Sequence, residues 1–170
     1  RLSRLPADSR VRGALELLVA KGGWGSAPAG IYQGIAVHES FGTVVAEQVD
    51  IALENGAPVV RRVVCAVDCG VVVNPDVVRM QLESAVVFAL SAALHGEITI
   101  RDGAVVQGNF DDFPLVRIDA SPEVEVHFVA TDRPPSGIGE PGVPPLAPAL
   151  ANAIFAATGK RLRELPLRVS

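Results

Sequence analysis

The chain has 170 residues, 49% of them apolar and 5% aromatic, with a formal net charge of −4. A length of this order suits one domain, residues 1–170, that buries about two-thirds of its unfolded surface, which excludes disorder. The acidic balance and the lack of a basic tract argue against nucleic acid as a partner, and no uninterrupted apolar run reaches the ~18 residues of a membrane span. No targeting segment opens the sequence, so the compartment, cytoplasmic or periplasmic, stays open. The start at Arg1-Leu2-Ser3-Arg4 without Met is expected of a piece of a longer protein.

Leu15, Leu17, Leu18 and Val19, following Pro6 and Asp8, predict a short helix closed by Gly22-Gly23. From 31 to 41 and again from 43 to 53, apolar and β-branched residues predict two antiparallel strands joined near Gly42. Asn55-Gly56 favours a tight reversal with positive φ, so 59–67 is expected to return as a third strand. Asn74 then reads as an N-cap and Pro75 as the first residue of a long helix to about Leu94, where Ala85, Ala89, Ala92 and Ala93 allow close approach on more than one side. Glu97 to Ile100 and Ala104 to Gln107 predict a hairpin that adds a ribbon to the sheet. Residues 109–119 read as an irregular connection. The alternation Glu123-Val124-Glu125-Val126-His127-Phe128-Val129 predicts a half-buried strand. Leu146 to Thr158 predicts an Ala-rich helix ended by Gly159, and Leu165-Pro166-Leu167 a terminal strand or tail. The whole predicts an α+β fold with mostly antiparallel strands and two main helices packed on the sheet.

Cys65 and Cys69 share a predicted strand. At ~3.3 Å per residue they stand about 13 Å apart, beyond the ~7 Å reach of a disulfide, so buried free thiols are expected. His38 beside Glu39 suggests metal binding, but a histidine within an apolar strand reads first as a hydrogen-bonded core residue. His95 and His127 lack partners at ligand spacing and read as surface or edge residues. Asp111-Asp112 reads as a loop pair, and no metal ligand set is predicted.

The segment Ser136-Gly137-Ile138-Gly139-Glu140-Pro141-Gly142 places one carboxylate on a glycine-flanked turn before an apolar helix. The glycines let backbone approach a ligand, and Pro141 bars helical backbone at Glu140. On residues alone, Glu140 reads first as a solvated loop charge or as the charge at a helix N-terminus, worth ~0.3–1 kcal/mol. Gln81 is equally an exposed helix residue or a ligand contact, and Glu83 reads as structural.

Asp68-Cys69-Gly70, Asn74-Pro75, the helix bearing Gln81-Leu82-Glu83 and Gly137-Ile138-Gly139-Glu140-Pro141 occur in an order that resembles the C-terminal part of the molybdopterin-binding subunit of the xanthine dehydrogenase and aldehyde oxidase family. The run Ala36-Val37-His38-Glu39-Ser40-Phe41-Gly42 and the Gln81-Leu82-Glu83-Ser84 helix are most similar to the isoquinoline 1-oxidoreductase branch and related aldehyde dehydrogenases. Met80, Ser84 and Ala89 stand where many members have glycines.

The resemblance implies that Glu140 is the glutamate that takes a proton from a hydroxyl or water on molybdenum during attack on an aldehyde or N-heterocycle. It also implies that Gly137, Ile138 and Gly139 lie against the cofactor, and that Gln81 hydrogen-bonds the molybdopterin, expected as the cytosine dinucleotide. Electrons would leave through an iron–sulfur partner. The other pterin loops of such a subunit are not in this sequence, so these residues alone are expected to be inactive. A non-catalytic binding or assembly domain on the same scaffold is the alternative, and a metal-free acid/base enzyme using Glu140 is a weaker third reading.

Overall fold

A computed structural model describes residues 2–169. After a 3₁₀ turn at Leu2–Arg4, helix α1 (Arg10–Gly22) leads into three long strands, β1 (Tyr32–Ser40), β2 (Thr43–Glu54) and β3 (Ala57–Asp68). Helix α2 (Pro75–Leu94) follows, then a short ribbon of β4 (Ile100–Arg101) and β5 (Ala104–Val105), strand β6 (Glu123–Phe128) and helix α3 (Leu146–Thr158).

The turn chemistry explains the reversals. Phe41 and Asn55 take φ of 52°, each followed by a glycine at φ 75° and 82°, so both hairpins close in two residues with a twist that suits the strands. Asn74 accepts hydrogen bonds from the Asp76 and Val77 amides, and Pro75 occupies the first turn of α2 where a missing N–H costs nothing.

The main sheet runs β1-β2-β3-β6. Its first two pairings are antiparallel, whereas β6 joins β3 in parallel, from Arg62 opposite Glu123 to Val67 opposite Phe128. The expected ribbon forms a separate two-stranded sheet and adds nothing to the main one. Its strand residues, Ile100 and Val105 among them, are all exposed and none packs on the core.

Both sheet faces are covered. On one face Ala14 and Leu18 of α1 pack on Val44, Ala46, Val64 and Ala66. On the other, Leu82, Val86 and Leu90 of α2 and Leu146, Leu150 and Ile154 of α3 pack on Val45, Val49, Val63 and Val67. Two helices on the sheet therefore become three in a layered arrangement, and residues 43–51 of β2 are buried without interruption. Apolar residues on both parities of 43–53, Val44 and Ala46 on one face and Val45 and Val49 on the other, are the mark of a strand covered on both sides.

α2 is long and apolar enough by composition to cross a membrane. Its Val78-Leu82-Val86-Leu90 stripe is spent on the sheet instead. Cys65 and Cys69 are buried and free. His38 lies exposed on the edge strand β1, not in the core, two residues beyond Ala36, which still packs on the α3 side. His127 sits on the opposite edge, 3.6 Å from Glu125. The terminal tail forms no strand, but Leu167 is buried and its amide donates to the Ala93 carbonyl.

Candidate functional site

The separated sequence segments meet at one end of the sheet. Ser136 N donates to Cys69 O at 2.9 Å, Val71 N to Arg133 O at 2.9 Å, and Gly137 N to Phe41 O at 3.2 Å. The loop that carries Glu140 is thus tied both to the Asp68-Cys69-Gly70 turn and to the β1–β2 reversal. Gly70 has φ 75°, and a Cβ there would strike the Pro134 carbonyl, so the turn and the loop approach as closely as bare backbone allows.

Asp68 anchors this end from below. Arg10 of α1 donates to its carboxylate at 2.7 Å and to its backbone carbonyl at 2.8 Å. The Arg10 hydrogen bond holds the Asp68 carboxyl below the usual range. On the same side of the sheet, Gln48 and Arg62 donate to the Gly22 carbonyl at the end of α1, at 2.8 and 3.0 Å, and both reach Asp50. These contacts satisfy a helix terminus that would otherwise be buried unpaired.

Beyond Gly137 the loop crosses toward α2. Ile138 packs against the core. A Cβ on Gly139 would lie 3.9 Å from Oε1 of Gln81, so bare backbone faces the amide with no side chain between them. Glu140 is exposed and its carbonyl accepts from Val143 N at 2.9 Å, closing a turn. On residues alone this carboxylate is a solvated loop charge, whereas the family resemblance implies that it faces a cofactor. Its backbone is fixed, since Pro141 and Gly142 are buried, while its side chain is open to solvent on the loop that adjoins the glutamine-bearing helix. Gln81 and Glu83 are likewise exposed, as one face of α2 is left uncovered by this chain.

Glu47 lies under the loop, fully buried. Cys65 Sγ donates to its Oε1 at 3.7 Å, and Oε2 has no hydrogen-bond partner. Burial pushes its carboxyl well above the usual range. A Cβ on Gly142 would come within 2.9 Å of Leu82 Cδ2, 3.0 Å of Ala85 Cβ and 3.7 Å of Glu47 Oε1. Only glycine fits this gap between β2 and α2. Thr43, Glu47 and Ser136 are the residues that sequence reasoning passed over as participants. The one available signal was an acid, Glu47, within a strand rich in Val and Ala. No group of three or more acidic, His or Cys side chains suited to a metal ion exists among the described residues.

Residues 20–122 match the molybdopterin cofactor-binding domain family. The chain belongs to this family. The matched residues include Gln81 and stop short of Glu140. The isoquinoline 1-oxidoreductase subunit beta of Brevundimonas diminuta is 39% identical over 109 residues, covering 64% of this chain and 14% of that protein. The membrane-bound aldehyde dehydrogenase [pyrroloquinoline-quinone] of Gluconacetobacter polyoxogenes is 36% identical over 121 residues, covering 71% and 16%. The chain thus spans about a sixth of the length of these relatives. Among solved structures, Cu,Mo-CO dehydrogenase aligns with TM-score 0.63 at 25% identity over 69% of this chain and 16% of that one. The aldehyde oxidoreductase of Desulfovibrio gigas shares the fold, with TM-score 0.65 at 20% identity over 73% and 14%. The α+β class expected from the sequence holds, with three helices around a mixed sheet where two helices were expected.

Proposed function

We propose that this domain is the C-terminal part of the large subunit of a molybdenum hydroxylase that oxidises an aldehyde or an N-heterocycle, with Glu140 as general base. The observation that carries this reading is the apposition of the Gly139 backbone, next to Glu140, to the Gln81 amide. The residues fit the family's cofactor. Gly137 and Gly139 present backbone without side chains, Gln81 offers a neutral amide that can donate and accept at once, and Glu140 is the one acid between Ser136 and Pro145. Molybdopterin, as the cytosine dinucleotide, would supply the oxidising centre and take up the substrate's electrons, which leave through an iron–sulfur partner.

The chain's own contribution is positional and protonic. Gln81 would hold the pterin by hydrogen bonds, and Gly137, Ile138 and Gly139 would shape the wall against which it lies. Glu140 would take the proton released as the substrate carbon gains oxygen, which requires its carboxylate within about 2.6–3.2 Å of that proton. The remaining walls of the site come from residues outside this chain, and they would remove the Glu140 side chain from bulk water. Residues 1–170 alone are accordingly expected to show no turnover.

In the full-length protein, Glu140→Gln is expected to lower turnover by more than ~1,000-fold while molybdenum content holds, given that a positioned base contributes about 100- to 10,000-fold. Steady-state kinetics with metal analysis checks this. Near-normal turnover would reject the base assignment and favour a binding or assembly role for the same scaffold.

A further inference from the structure

Thr43 and Glu47 lie four positions apart in β2, so their side chains share the sheet face that meets α2 and α3. Thr43 is fully buried, with Oγ1 2.6 Å from the Gly137 carbonyl and 2.7 Å from Ser136 Oγ. A hydroxyl has one proton, and a carbonyl can only accept. Thr43 must therefore donate to Gly137, and Ser136 must donate to Thr43. Both contacts have one polarity, and the start of the loop has one seat.

The end of the loop is seated differently. At Gly142 the backbone is wedged between the Glu47 carboxyl and Leu82, the residue next to Gln81. Four strand residues span about 13 Å, whereas the six-residue segment 137–142 could reach about 20 Å if extended. The segment has slack, so pinning both ends bows it away from the sheet and puts Gly139 and Glu140 near the crest.

We propose that Thr43 and Glu47 are positioning residues, two anchors on one strand that hold the 137–142 loop so that Glu140 stays in register with Gln81. This rests on the reading of Glu140 as the base. Thr43 acts by its hydroxyl and Glu47 by filling the floor under Gly142, and neither touches the reacting groups.

The test uses the full-length enzyme and its cofactor-free form. Thr43→Val keeps the shape and removes the donor. It is expected to raise hydrogen–deuterium exchange of the 137–142 segment in the cofactor-free protein by about tenfold or more. In the loaded enzyme it is expected to lower kcat by about 10- to 100-fold with KM and molybdenum content held, as a misplacement of about 1 Å does. Thr43→Ser should bring both measurements back to within about threefold of the parent, and Glu47→Ala should raise exchange at the 141–143 end while Glu47→Gln does not. Unchanged exchange in Thr43→Val, a kcat loss that merely follows molybdenum content, or a serine variant no better than valine overturns the proposal. Should Thr43→Val not fold, Ser136→Ala removes one arm from a half-buried position, and unchanged exchange there overturns it equally. Glu140→Gln in the same assays separates the two readings. If it retains turnover the base assignment falls, and if it abolishes turnover while Thr43→Val is neutral only the anchors fall.

Discussion

Glu47 and Asp68 are both acids in the interior, and their surroundings drive them in opposite directions. Glu47 is held above the usual range by burial, so the folded chain keeps a proton that the unfolded chain surrenders above pH ~4.3. Its folding stability is full below that pH and falls as pH rises toward the folded pKa. Glu47→Gln keeps the shape without the titration. Its stability relative to the parent is expected to climb with pH above about 4.3, by about 1.4 kcal/mol per pH unit until the folded pKa is reached. Urea unfolding at several pH values checks this, and a pH-independent difference would contradict it. Asp68 behaves in the reverse sense. The Arg10 hydrogen bond lowers its pKa, so its contribution is present above pH ~3.9 and lost as pH falls through the folded value. Asp68→Asn should cost about 1–3 kcal/mol at neutral pH, a gap that closes in acid. Glu140 and Gln81 were legible because glycine, proline and the order of motifs mark them. Thr43 was not, since a threonine opening a strand resembles any other β-former until its partner, Gly137 from far along the chain, is known.

At the scale of elements, α3 lies across β1 at Gly34, where a Cβ would meet the Ala149 carbonyl and the Ala153 backbone. Backbone cannot yield as a side chain does. Gly34→Ala is therefore expected to destabilise by about 3 kcal/mol or more, measured as a lowered urea midpoint at unchanged slope. The same change at Gly13, where nothing lies within 4 Å, should stabilise α1 by a few tenths to about 1 kcal/mol. The helix caps and both long hairpins were readable because Asn74-Pro75, Asn55-Gly56 and Gly23 act on their neighbours. The parallel pairing of β6 was not. Glu123 to Phe128 shows the alternation of a half-buried strand, but alternation carries no information about which edge it joins. His38 was misplaced for a related reason, as an apolar strand on a sheet edge buries fewer of its residues than one at the centre.

At the scale of the whole molecule, the sheet is covered on both faces while α2 still turns Met80 and Phe88 to solvent, 58% and 68% exposed. Phe41 near the loop is 66% exposed as well, so large apolar side chains reach solvent at more than one place. The 170-residue chain is expected to self-associate as its concentration rises, and Met80→Lys with Phe88→Lys to reduce this in sedimentation velocity runs. Unaltered association in the double variant would place the contact elsewhere. Phe41, Cys69, Gln81 and Gly139 converge on one end of the sheet, so motifs far apart in the chain each supply one side of the same small surface.

The parallel seam between β3 and β6 also governs the order of assembly. β1, β2 and β3 are joined by two-residue reversals and can zip locally, whereas β6 docks only after α2 and the ribbon have been looped out, which carries a larger closure entropy. Glu140 lies beyond that late seam. A nascent chain can therefore hold a folded three-stranded meander well before Glu140 has a place to sit, and any fault that delays β6 leaves an intact-looking sheet without the 137–142 loop in place.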